Sequence, residues 1–324
     1  MGVNHVGTYV WYPSRTGTER RTTVAPSASA SRLRIGVIGA GRVGSVLGRA
    51  LTDAGHTVVA ASGVSRESVR RARQLLPGAA LLPADEVVGA ADLILLAVPD
   101  DTLGGLVVGL AETGAWRSGQ IVVHTSGAHG LGVLAPAAAF GVLPLALHPV
   151  MTFTGREEDL DRLRGVSFGV TAEDEHRAVA EALVLEMGGE PTWVPEHARP
   201  LYHAALAAGA NHLVTLVNES LDLLRIAGVS RPEHMIAPLL QAALDNALRH
   251  GDAALTGPVA RGDAGTVRRH LRELVDHAPD SVGAYVAMAR RTADRAIASG
   301  RLRRLDAGPL LDVLNPTRAT SEQP

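Results

Sequence analysis

Three glycines spaced as Gly39-Ala40-Gly41-Arg42-Val43-Gly44 follow the apolar run 34–38 directly and open a helical stretch reaching about residue 53. Between a strand and a helix each glycine meets a different need. Gly39 permits a tight turn, Gly41 lets the backbone approach a pyrophosphate, and Gly44 lets the helix lie close to the strand. The unpaired N–H groups at the helix start, around Arg42 and Val43, attract that anion. The pattern predicts a dinucleotide site; the plainer reading is a glycine turn without a ligand.

An acidic residue about 20 positions further on would bond the ribose 2′-hydroxyl of NAD. That stretch reads Ala60-Ala61-Ser62-Gly63-Val64-Ser65-Arg66 and holds no carboxylate. Ser65 and Arg66, with Ser62 beside them, suit a 2′-phosphate through charge-assisted hydrogen bonds, so NADP(H) is the expected cofactor. The alternative makes Arg66 the solvated start of a helix that also carries Arg70, Arg71 and Arg73. Ala97-Val98-Pro99-Asp100-Asp101 ends the run 93–97 at the edge where open α/β sheets bind ligands, so Val98, Pro99 and Asp100 are expected along the cofactor groove. Asp101, before Thr102, reads as an ordinary helix cap.

Two more runs end in polar residues at the same edge. Run 121–124 leads into Thr125-Ser126-Gly127-Ala128-His129-Gly130, and run 143–147 leads into His148-Pro149. Histidine suits proton transfer near neutral pH. His148 is the expected proton donor or acceptor, with Ser126 orienting it or the substrate and Thr125 beside the cofactor; a structural hydrogen bond is the competing role, above all for His124. His124, His129 and His148 could instead ligate a metal, but their irregular spacing and the lack of a committed carboxylate argue for none.

Further on, Ala204, Ala208, Asn211, Thr215 and Asn218 recur at steps of four and three, which places them on one face of an α-helix. Asn211 suits a carboxylate or carbonyl, and His203 lies roughly 80° round the helix from it. Helix–helix packing with Asn211 as a satisfied amide is the alternative. In the loop 255–263, Arg261 is positioned to hold a substrate carboxylate, or else to pair with Asp263 capping the next helix. His129 and Asn218 complete the expected substrate contacts.

The elements that must position these residues fall into two kinds. Runs 34–38, 57–61, 93–97, 121–124, 143–147, 167–170 and 192–194 read as strands, mostly apolar at consecutive positions, as a parallel sheet covered on both faces requires. Stretch 198–300 reads as almost continuous helix. Ser230-Arg231-Pro232-Glu233 has capping-box spacing, Gly251 sits at a helix end, and Pro238 is expected to divide 233–250 into two pieces. The expected organisation is a leader over 1–31 without fixed structure, a doubly wound Rossmann α/β domain over 32–195, an all-α substrate and dimerisation domain over 196–300, and a tail over 301–324.

Composition narrows the chemistry. The 324 residues carry a net charge of −2 and are 46% hydrophobic, so no basic excess invites nucleic acid or an anionic membrane. There is no cysteine and no lysine: all 31 basic residues are arginine. That excludes disulfides, thiolates, Schiff bases and an ammonium proton donor. Arg20-Arg21 lacks the apolar region of an export signal, and the cytoplasm is the expected compartment.

At His124-Thr125-Ser126-Gly127-Ala128-His129-Gly130, Leu147-His148-Pro149-Val150-Met151-Thr152-Phe153-Thr154-Gly155, Tyr202-His203-Ala204-Ala205 and the loop 257–263, the chain resembles a bacterial family of Rossmann-like proteins with a C-terminal domain of unknown function. That family is similar in fold to the 6-phosphogluconate dehydrogenase, ketopantoate reductase and pyrroline-carboxylate reductase group. The resemblance implies an N-terminal NADP domain, a helical C-terminal domain that forms a homodimer, and an active site between them. Hydroxy-acid enzymes of the group use a lysine with an asparagine one turn later; here Asn211 is present, the lysine is absent, and His203 is the nearest substitute. Ser126 and His148 also resemble, in type and order, a serine and a His-Pro histidine of prephenate dehydrogenases.

The expected function is hydride transfer between NADPH and a small carbonyl, imine or hydroxy acid. A non-catalytic NADP-binding sensor or regulator is the alternative. A prephenate-like oxidative decarboxylase is a third reading, for which Arg261 alone supplies too little positive charge.

Overall fold

β-Branched and leucine-rich runs buried on both sides become the strands of one sheet. The computed structural model describes residues 32–315, so the expected leader 1–31 and the end of the expected tail lie outside the described residues. The chain divides into two compact units, one through Pro200 and one from Leu201.

The first unit holds β1 (Arg34–Ile38), β2 (Thr57–Ser62), β3 (Ala80–Leu81), β4 (Leu93–Leu96), β5 (Ile121–His124), β6 (Leu143–Pro149), β7 (Ser167–Thr171) and β8 (Glu190–Trp193). They form a single sheet in the order β3-β2-β1-β4-β5-β6-β7-β8. Every neighbouring pair is parallel except β6–β7, which is antiparallel. Strand alternation sorts the core into two layers. Ile35, Val37, Leu93, Leu95, Val123 and Leu145 pack under the helices Arg42–Asp53 and Arg177–Glu186, whereas Ile38, Ile94, Leu96 and Val122 pack under Ala84–Ala90 and Asp100–Glu112. Each such side chain, taken fully out of water, contributes roughly 1.5–3 kcal/mol before entropy is counted.

Most strand ends lie within one residue of expectation, and two shift by two residues. β6 runs two residues beyond the expected 143–147, because antiparallel β7 continues to pair with it after parallel β5 has ended; His148 therefore lies within the strand, opposite Gly169. β8 begins at Glu190 rather than 192, where Ser167 of β7 meets it.

The second unit is helical, with Leu213–Ile226, Pro232–His250, Ala264–His277 and Val282–Ala298 as its longest elements. Ala260, Val267, Ala289, Ala293, Ala296, Leu302 and Leu310 form its core. Helix Pro232–His250 passes through Pro238 unbroken, contrary to the expected division. A proline removes one N–H and crowds one carbonyl, and the ladder on either side carries the helix past it. The capping box is not formed either: Arg231 is the cap residue, with no side-chain hydrogen bond, and Pro232 starts the helix. No helix among the described residues is long and apolar enough to cross a membrane.

Candidate functional site

The order of the strands reverses between β1 and β4, and the loops after these two strands meet there, at the carboxyl edge where such sheets bind ligands. Gly39 has φ +90°, and a Cβ on it would stand 2.5 Å from the carbonyl oxygen of Ala97 and 3.0 Å from Val98 Cγ1. Its N–H and that of Ala40 donate to the carbonyl of Ser62, at 3.1 and 2.8 Å, which ties in the end of β2. A Cβ on Gly44 would overlap the carbonyl oxygen of Gly39.

Gly41 differs from both. Among the described residues a Cβ there would meet only the Gly39 oxygen, at 3.9 Å, so their packing does not demand glycine. Gly41 is also the cap of helix Arg42–Asp53, makes no side-chain cap bond, and is followed by a first turn with no acidic residue. Uncapped N–H groups at a helix start in front of open space form a cradle for an anion. Arg42 is exposed and Val43 half-buried at its rim. The residues present thus fit a dinucleotide pyrophosphate.

At the end of β2, Arg66 is exposed, and Glu67 pairs with Arg70 and Arg71. Ser65 is the cap of helix Arg66–Leu75: its Oγ accepts from the N–H of Ser68, and Ser68 Oγ accepts from the N–H of Ser65. Its hydroxyl is therefore already engaged in a cap. Arg71 is not solvated, as a purely exposed helix face would have it; its side chain is 18% exposed and crosses toward Gly155, where a Cβ would come within 2.8 Å of Arg71 Nε and 3.1 Å of Arg42 Cα. The stretch after β6 thus lies beside the glycine turn at the start of helix Arg42–Asp53. Asp159, fully buried, holds it there by accepting from the N–H groups of Thr154 and Gly155, both at 2.8 Å. Asp101 is no cap: helix Asp100–Glu112 has Pro99 at that position, and both aspartates sit in its first turn, where their charge complements the helix dipole.

The turn after β5 is knotted by hydrogen bonds. Thr125 N–H donates to the carbonyl of Leu96, at 3.1 Å. His124 is fully buried; its Nδ1 accepts from the N–H of Ser126 (3.2 Å), which leaves Nε2–H to donate to the carbonyl of Gly130 (2.9 Å). Both ring nitrogens are used, so His124 cannot join His129 and His148 in ligating a metal, and its role is structural. Burial, first of all, pushes its pKa down to about 4; the Gly130 carbonyl and Asp100 act against this, while Arg199 and His129 act with it. Ser126 Oγ accepts from the N–H groups of Ala128 (3.2 Å) and His129 (3.1 Å), so its hydroxyl has only its own proton to offer a substrate. His129 and His148 are half-buried. Glu196, which the sequence did not single out, accepts from Leu131 N–H (2.7 Å) and Gly132 N–H (3.1 Å) and lies so close to Gly130 that a Cβ there would displace its carboxylate.

In the second unit the expected stripe is interrupted. Ala208–His212 is a π-helical turn between helices Arg199–Ala207 and Leu213–Ile226. Its wider hydrogen-bonded ring holds one extra residue, which sets Asn211, Thr215 and Asn218 back by about 100° relative to Ala204 and Ala208. The five residues do not share one face, and the angle from His203 to Asn211 changes with them. His203 is half-buried, Asn211 and Asn218 are exposed, and the Asn211 carbonyl accepts from Thr215 Oγ1. Arg261 is exposed behind the short helix Gly257–Ala260, and Asp263 caps the next helix by accepting from Thr266 N–H (2.9 Å).

Residues 19–149 match the model of a Rossmann-like domain, and residues 166–292 match that of a domain of unknown function, DUF2520. No protein of curated function matches the sequence. Among solved structures, a candidate NADP oxidoreductase from Bacteroides fragilis is 22% identical, with a TM-score of 0.68 over 81% of this chain and 98% of that one. An imine reductase from Pseudomonas sp. is 20% identical, with a TM-score of 0.61 over 83% and 99%. The 1-pyrroline-5-carboxylate reductase of Streptococcus pyogenes is 16% identical, with a TM-score of 0.54 over 83% and 100%. At these identities the likeness is one of fold. The chain thus carries a match to a Rossmann-like domain followed by a match to a DUF2520 domain, and its fold is similar to that of these oxidoreductases and reductases.

Proposed function

We propose that this protein is an NADP-dependent oxidoreductase acting on a small carbonyl, imine or hydroxy acid. The observation that carries the reading is the cradle at Gly41, a glycine that packing does not require, facing open space at uncapped N–H groups. The nicotinamide group, when bound, supplies or accepts the hydride. Gly41, Arg42 and Val43 hold the pyrophosphate at a turn that Gly39 and Gly44 shape, while Ser62 and Arg66 hold the 2′-phosphate, with the Ser65 hydroxyl given over to its cap. Val98, Pro99, Asp100 and Thr125 line the groove toward the strand ends. His148 gives or takes the proton, and Ser126 orients its partner with its one hydroxyl proton. His129, half-buried in the same turn as Ser126, is the proposed substrate contact of the first unit.

Replacing Arg66 with Ala tests the cofactor assignment. Loss of a charge-assisted hydrogen bond is worth about 1.5–3 kcal/mol, so NADPH affinity falls by roughly ten- to a hundredfold while NADH affinity stays unchanged. Equal losses for the two nucleotides would remove Arg66 from the 2′-phosphate. Turnover against a panel of cyclic imines and 2-oxo acids with NADPH then tests the reaction itself.

We also propose that the protein is a homodimer through helices Leu213–Ile226 and Pro232–His250. Across residues 201–250 only Pro232 is buried. Val214, Met235, Leu239 and Leu248 are each 60–67% exposed. Apolar surface of that extent on paired helices is what a second copy would cover.

A further inference from the structure

Arg199 opens the helix Arg199–Ala207, and its side chain is fully buried. A guanidinium cannot shed its proton, so its burial is costly unless its donors are met. Nε donates to Thr171 Oγ1 (2.8 Å), Nη1 to the carbonyl of Ser126 (3.2 Å), and Nη2 to the carbonyls of Ala146 (3.0 Å) and Gly169 (2.9 Å). Thr171 in turn donates to the carbonyl of Val194, at 2.6 Å. The acceptors come from three stretches: the turn after β5, the middle of β6, and β7. They converge where the sheet changes direction, since β5 pairs with β6 no further than His124 opposite Ala146, and beyond it β6 continues against β7 alone.

We propose that Arg199 is a positioning residue whose planar fork sets the spacing between the turn that carries Ser126 and the strand position that carries His148, two residues on from Ala146. The catalytic meaning of this spacing rests on the oxidoreductase reading; the spacing itself does not. The cation supports Ser126 from two directions. It holds the Ser126 carbonyl directly, and its charge favours the neutral ring of His124, whose Nδ1 accepts the Ser126 N–H. A protonated His124 would present a hydrogen there and lose that bond. Arginine suits the place because several carbonyls in different directions need a rigid, planar set of donors, which a lysine ammonium does not provide.

The test compares Arg199→Lys, which keeps a cation but loses the fork, with Arg199→Met, which loses both. In each variant the backbone resonances of Ser126 and Gly169 and the ring resonances of His148 shift from their wild-type positions. The titration of His124 moves upward from about 4 in the Met variant and stays in place in the Lys variant. A Met variant with wild-type resonances for Ser126 and His148 overturns the proposal. A measurement on the wild-type protein stands independently of how the variants fold: the Arg199 Nε–H should exchange with D2O as slowly as the central strand amides, and exchange as fast as that of surface arginines overturns the proposal as well. Neither readout needs turnover, so failure to reduce any imine would count against the oxidoreductase reading alone.

Discussion

Gly41 and Gly44 stand three residues apart, at the cap and in the first turn of helix Arg42–Asp53, and the structure gives opposite expectations for replacing each with alanine. At Gly41 the backbone is extended (φ −79°, ψ −152°), a conformation alanine adopts freely, and among the described residues the nearest atom the added methyl group meets beyond its chain neighbours is 3.9 Å away. The folded state loses only the slight preference of a helix cap for glycine over alanine, at most about 1 kcal/mol. In a domain of this size that lowers the melting temperature by roughly 2–4 °C. The methyl group does stand where a pyrophosphate must approach the backbone, so NADPH affinity should fall at least tenfold, about 1.4 kcal/mol. At Gly44 the methyl group would overlap the Gly39 carbonyl and reach within 3.0 Å of Ala97 Cβ. Gly39 cannot easily yield, because its own N–H is bonded to Ser62 and it sits at positive φ. Overpacking of this kind costs about 1–3 kcal/mol, so Gly44→Ala should melt several degrees lower and bind poorly as a consequence. Thermal melts and NADPH fluorescence titrations on both variants separate the two effects. Wild-type NADPH affinity in Gly41→Ala would refute the cradle, and a wild-type melt in Gly44→Ala would refute the packing argument.

Four other outcomes are expected. His124 is held at about 4 in the folded protein against an ordinary value of 6.5, so the unfolded chain binds the extra proton between these limits. Its contribution is complete above about pH 6.5 and is lost as pH falls toward 4, about 3 kcal/mol in all; denaturation midpoints across that range should flatten in His124→Gln. His148→Asn should bind NADPH normally but reduce substrate at least a hundredfold more slowly, and an unchanged pH–rate profile would remove His148 from proton transfer. Asp159→Ala leaves the N–H groups of Thr154 and Gly155 unpaired and should lower stability by about 1–3 kcal/mol by chemical denaturation, with the loss traceable to loop amides by hydrogen exchange. Leu239→Glu combined with Leu248→Glu should yield monomers in sedimentation velocity; dimers that persist would place the interface elsewhere.

The strands were legible because buried strands of a parallel sheet are apolar without interruption, and Leu93-Ile94-Leu95-Leu96 can hardly be anything else. β3 was not, since Ala80 and Leu81 are both exposed and only two residues long, with nothing in their side chains to mark a strand. The extension of β6 through His148 depends on β7 lying antiparallel beside it, a pairing between distant segments that no local pattern announces. The π turn at Ala208–His212 was equally hidden, because Ala, Gly and Asn carry no signature for it, and it undid a face argued from strict helical spacing. In the candidate site, the glycine motif was readable because its physics is local. Arg199 was not: beside a proline at a helix start it has the look of a solvated cation, and only the convergence of Ser126, Ala146 and Gly169 in space reveals its place. Arg71 and Glu196 were missed for the same reason, as Gly155 and the Leu131–Gly132 amides lie on other elements; Asp159 was missed although its partners Thr154 and Gly155 are only five and four residues away.

The near absence of burial over residues 201–250 bears on how the molecule is made. Isolated helices of 14 and 19 residues are marginal in water, so this stretch has little to hold it until something covers it. If that cover is another copy, refolding from denaturant contains a bimolecular step: its rate depends on protein concentration while the sheet domain recovers at a fixed pace. Dilute samples would then lose the helices before the sheet, and a protease added at low concentration would cut within 201–250 first.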